Sequence, residues 1–117
     1  MPKFALIFRQ SPFPMSEEVR QRRAKEVAAW ATHLRDQGHS LEPHLLGDEH
    51  FIISSDGSTN KDTGDPIVAI LVFDAANFDD AKQIASTHPG LHYGISIEVR
   101  PATIPAFPPT PTPAPSH

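Results

Sequence analysis

Apolar residues gather in two unbroken runs, Phe-Ala-Leu-Ile-Phe at 4–8 and Ile-Val-Ala-Ile-Leu-Val-Phe at 67–73, with stripes and alternations elsewhere. A short apolar run without alternation marks a strand buried on both faces, so strands are expected at 3–9 and 67–73, the second central. After the first run, Pro12 and Pro14 each push the preceding residue out of helical geometry. Ser16 then caps a helix reaching about residue 37, with Glu17 and Glu18 where the helix dipole favours negative charge, and Gly38 ends it. Ala24, Val27, Trp30, Ala31 and Leu34 form its apolar stripe.

A strand is expected at 40–46 and a short one at 50–54, followed by a polar, mobile loop over 55–65. Asn77 caps a second helix, Asp79 and Asp80 load its first turn, and Phe78, Ala81, Ile84 and Ala85 make its inner face. The last strand is expected at 92–100, where Ile95, Ile97 and Val99 alternate with Gly94, Ser96 and Glu98. The order β-α-β-β-β-α-β is a ferredoxin-like α+β arrangement with one added strand. Two helices cover one face of such a sheet. The runs at 4–8 and 67–73 are apolar on both faces, so a second copy of the sheet is the simplest cover, and a homodimer with its sheets face to face is expected.

A chain of 117 residues with 38% hydrophobic content holds one domain, assigned to residues 1–101. Seven of the thirteen prolines fall between 101 and 117, so residues 102–117 read as a Pro-rich extended or disordered tail. The net charge of -4 argues against nucleic acid as a partner. Arg20, Arg22, Arg23 and Lys25 are flanked by Glu17, Glu18 and Glu26, which makes them a solvated helix face. The absence of cysteine excludes a disulfide framework and a thiolate nucleophile. Only five apolar residues separate Lys3 from Arg9, too few for a signal peptide or a membrane span, so a soluble cytoplasmic protein without a membrane partner is expected.

Residues 4–9, then Trp30, Leu34, Gly38 and Leu41, then Asp80, Ala81, Ala85, Pro89, Glu98, Val99, Arg100 and Pro101 together resemble the YCII-related family in order and spacing. The resemblance spans roughly residues 3–101 and implies a dimeric α+β barrel. Two departures stand out. Where many relatives carry Asp-Gly-Pro-Phe, this chain has Asp56, Gly57, Ser58 and Thr59. Enzyme-like members are thought to use a histidine on the first helix, and Ala28, or a neighbour such as Val27, occupies that place here.

The candidate chemistry rests on the seven histidines and their neighbours. His33 reads as a surface residue and His39 as solvated. If residues 40–46 and 50–54 pair as a hairpin, His44 and His50 approach each other near Asp48 and Glu49. That spacing is not a metal signature, so neither a metal nor a cofactor is assigned. His88, at a helix C-terminus, reads as a cationic cap. His92 shares the parity of Gly94, Ser96 and Glu98, a line of small and polar groups that leaves room for a ligand. Arg9 offers a planar fork for a carboxylate. A pocket is expected where the first helix meets the open end of the sheet, with Arg9, Trp30, His44, His92 and Glu98 as ligand-binding candidates. Of these, Trp30 reads first as core packing and only second as a wall of the pocket. The function expected is a homodimeric small-molecule-binding or accessory module with a small carboxylate as ligand. The alternative is a small lyase, isomerase or dehydrochlorinase-like enzyme with a histidine as general acid-base and Asp36 or Glu98 orienting it.

Overall fold

The run Phe4-Ala5-Leu6-Ile7-Phe8 forms the middle of β1 (Lys3–Arg9), and the second apolar run forms most of β5 (Ile67–Asp74). The computed structural model describes residues 1–10, 14–47, 49, 51–60 and 67–105. β1 lies between β5 and β6 (Ser96–Ala102), and β2 (Leu41–Leu45) flanks β5, so the sheet runs β2-β5-β1-β6 with every neighbouring pair antiparallel. β1 and β2 are thus parallel with β5 between them, an arrangement compatible with a ferredoxin-like α+β fold.

Between β1 and β2 runs α1 (Glu17–Asp36), capped by Ser16, whose Oγ accepts from Val19 N–H at 3.2 Å. Gly38 takes φ +94°, a conformation L side chains rarely adopt, and so terminates it. α2 (Phe78–Ser86) starts at Asn77, whose Oδ1 accepts from Asp80 N–H at 2.8 Å. The core lies on one face of the sheet. There Phe4, Leu6, Phe8, Leu71 and Phe73 meet Ala75, Ala81 and Ala85, with Trp30, Ile84, Ile97 and Val99 packed around them.

Several expectations are corrected. The strand expected at 50–54 shrinks to β3 (Ile52–Ile53). It pairs with β4 (Thr59–Asn60), inside the stretch read as a loop, and forms a separate two-stranded sheet. Gly57, at φ +87°, makes its turn. β2 pairs with β5 and not with β3, so the hairpin that was to bring His44 towards His50 is not made. The last strand begins later than residue 92, because Pro89–Tyr93 form a 3-10 helix closed by Gly94 at φ +84°. On α1, Leu34 is buried and Val27, Trp30 and Ala31 are half-buried, but Ala24 is exposed, since the helix packs chiefly on the 3-10 helix. Phe78 sits at the rim of α2, its ring 6.1 Å from that of Phe4. His50, Asp48, Pro12, the loop over 61–65 and the tail from 106 onward lie outside the described residues.

Strand pleating sends alternate residues of β1 and β5 to the opposite face. Antiparallel register sets Glu42, Val72, Ala5 and Arg100 in one row across that face, and His44, Ile70, Ile7 and Glu98 in the next. Lys3 and Asp74 are paired at one end of it. The central Ala5, Ile7, Ile70 and Val72 are half-buried, and no helix among the described residues packs on that side. No helix among the described residues is long and apolar enough to cross a membrane.

Candidate functional site

Arg9 and Glu98 are neighbours on the helix-free face because β1 and β6 pair with Ile7 opposite Glu98 and Arg9 opposite Ser96. Arg9 Nη1 donates to Glu98 Oε1 at 2.8 Å, and Arg100 Nε donates to the other carboxylate oxygen. These two guanidinium groups, Arg100 first, hold the Glu98 carboxyl below its ordinary range. Two cations on one anion leave the cluster with a net positive charge. Across the sheet, exposed His44 has its Nε2 4.0 Å from Glu42 Oε1. A groove of about 600 Å³ crosses the end of this face, lined by Lys3, Ser40, Glu42, Val72, Ala102 and Ile104 among others.

The five candidate residues do not converge. Arg9, Glu98 and His44 share the helix-free face, Arg9 on the inner strand β1 beside Glu98 on the edge strand β6, and His44 on the opposite edge strand β2. Trp30 lies on the opposite side, where α1 meets the 3-10 helix, and its Nε1–H donates to Thr87 Oγ1 at 2.8 Å. His92 is exposed in the last turn of the 3-10 helix and has no place in a strand.

His88 is the residue whose environment differs most from the expectation. Its ring is 6% exposed and wedged between Phe8 and Trp30, with ring centroids at 4.8 and 4.7 Å. His88 Nδ1 accepts from Gly90 N–H at 2.9 Å, so the neutral ring carries its proton on Nε2. Burial first, and then the charge of Arg23, lowers its pKa to about 4. It therefore caps the N-terminus of the 3-10 helix as a neutral acceptor and is no cationic cap of α2. The signal for this lay in Gly90: a Cβ there would stand 2.9 Å from His88 Nδ1. Nearby, Tyr93 O–H donates to Glu26 Oε1 at 3.0 Å, and burial followed by that bond raises the phenol's pKa.

His39 is half-buried, where a solvated side chain was expected. Its Nδ1 donates to the Asp74 carbonyl oxygen at 2.7 Å and lies 3.6 Å from Asp74 Oδ1. The Asp74 carboxylate also accepts from Ser40 N–H at 2.9 Å. This ties the start of β2 to the end of β5. Among the described residues, no group of three or more His, Asp or Glu side chains is arranged to hold a metal ion. The chain matches no family model and no curated protein.

Proposed function

We propose that the chain is a YCII-like homodimeric small-molecule-binding or accessory module, in which a second copy of the sheet covers the helix-free face and a small carboxylate is the ligand. The observation that carries this reading is the stripe Ala5, Ile7, Ile70 and Val72, half-buried on a face that no helix among the described residues covers. Leaving such a stripe in water forgoes roughly 25 cal/mol for each Å² of apolar surface that a partner would bury. The Arg9, Arg100 and Glu98 cluster at its border keeps one positive charge unneutralised, which suits an anion. The ligand role fits a chain with Ala28 or Val27 where the resemblance calls for a helix histidine.

The enzymatic alternative draws support from His39. Its Nδ1–H is engaged by the Asp74 carbonyl oxygen, which leaves Nε2 as the nitrogen able to accept a proton, on a residue that immediately precedes the groove residues Ser40 and Leu41 in the chain.

Light scattering at micromolar concentration is expected to report a dimer, which requires an interface above roughly 1,000 Å². A monomer would overturn the proposal. A panel of small carboxylates is expected to raise the melting temperature of the native protein and to act more weakly on Arg9→Ala. Equal responses in both remove Arg9 from the site. A response lost in His39→Ala but kept in Arg9→Ala favours the enzymatic reading, and no response at all favours an accessory role.

A further inference from the structure

The helix-free face is complementary to itself in charge, row by row, and this determines how two copies would meet. Each long row ends in groups of opposite character: Glu42 on β2 against Arg100 on β6, and His44 on β2 against Glu98 on β6. The pair at the end of the face, Lys3 on β1 against Asp74 on β5, repeats the pattern. Two sheets stacked face to face about 10 Å apart can be related by a two-fold axis along the strands or by one across them. An axis along the strands, between β5 and β1, preserves the rows and exchanges their ends. It puts Glu42 over Arg100 of the second copy, His44 over Glu98, Lys3 over Asp74, and Ala5 and Ile7 over Val72 and Ile70. An axis across the strands, between the two long rows, stacks each strand on its own copy; it sets Arg100 over Glu98 and Glu42 over His44 of the second copy, but also Lys3 over Arg9, cation on cation, and leaves Asp74 without a cation.

We infer that the partner of this face is a second copy of the chain, docked about an axis along the strands, with Glu42 and His44 of one copy seated on Arg100 and Glu98 of the other. The inference rests on the dimer proposed above and adds its orientation and contact residues. Charged groups at the two edges then frame the apolar stripe and set the register of the pair, since a sideways shift of the axis would press Glu42 or Arg100 onto the apolar stripe of the other copy. Each Arg9, Arg100 and Glu98 cluster acquires the Glu42 carboxylate of the other copy, which balances its excess positive charge, so a small carboxylate binding at this border competes with Glu42.

The test uses two charge reversals in the full-length chain, Glu42→Arg and Arg100→Glu, with self-association followed by sedimentation across a dilution series. Each variant alone should associate about tenfold or more weakly than the native chain, because each creates two like-charge contacts per dimer. An equimolar mixture of the two variants restores opposite charges at both contacts, and its affinity should return to within about threefold of the native value. An axis across the strands gives no such rescue, because Glu98 would then face the introduced glutamate. Circular dichroism establishes that each variant is folded. If either is not, the double variant Glu42→Arg/Arg100→Glu makes the same comparison in one chain. A native dimer whose affinity neither reversal changes, or whose loss the mixture does not repair, overturns the inference and leaves the dimer reading intact. A native monomer overturns both.

Discussion

Replacing Phe73 by alanine is expected to remove about 3–5 kcal/mol of folding free energy and to lower Tm by roughly 15 °C or more. Phe73 is 0% exposed, and it stands in register between Phe4 on β1 and Leu41 on β2, with its ring 6.3 Å from that of Phe4. Truncation opens a cavity in the layer between sheet and helices. The neighbours that would have to collapse into it are held by strand pairing on both sides, so little of the loss is recovered. Urea unfolding at one fixed protein concentration measures the effect, because any self-association makes apparent stability depend on concentration. A loss below about 1 kcal/mol would mean that the layer repacks freely and that the core is misassigned.

The second large effect is a dependence on pH that His88 imposes. In the unfolded chain the imidazole takes up a proton near its ordinary pKa of 6.5, whereas in the fold it resists until about pH 4. Between those values the unfolded state binds more protons, so stability rises with pH. The contribution is complete above 6.5 and lost as pH falls through the window to about 4, with an upper bound of about 3 kcal/mol. Protonation would also turn Nδ1 from an acceptor into a donor facing Gly90 N–H, next to the Arg23 charge. The control is His88→Asn, which keeps an acceptor for that N–H but does not titrate. The native protein should lose stability more steeply than the variant between pH 6.5 and 4. Carboxylates such as Glu98 titrate in both proteins and cancel in the comparison. Parallel pH profiles for the two would show that His88 does not carry the proton linkage.

The elements bounded by local chemistry were legible in the sequence. Ser16, Asn77 and Gly38 mark helix ends through bonds or dihedral angles set within three residues, and the apolar runs that became β1 and β5 needed only their composition. What depends on distant partners was not legible. His88 resembles a helix-end cation until Phe8 and Trp30, far away in the chain, close over it and take away its water. Arg9 and Trp30 were expected in one pocket because the end of the first strand and the first helix were read as converging at the open end of the sheet. The pleat sends Arg9 to one face of the sheet while α1 covers the other. The charge rows of the helix-free face needed the register of four strands, which no local pattern encodes. The short pairing of β3 with β4 was missed because two-residue strands leave no periodicity to read.

The position of β1 also shapes how the chain must assemble. It precedes every other described strand in the chain, yet it forms the inner strand between β5 and β6, both in the second half of the sequence. Its hydrogen bonds on either edge wait for partners not yet synthesised, and loop closure over most of the chain must precede them. Such non-local pairing slows folding and leaves an apolar segment uncovered in the meantime. Truncation within β6 would strip β1 of one neighbour while leaving β5 and both helices in the chain. For this small domain, release of the C-terminal strand from the ribosome is therefore the event that permits the sheet to close.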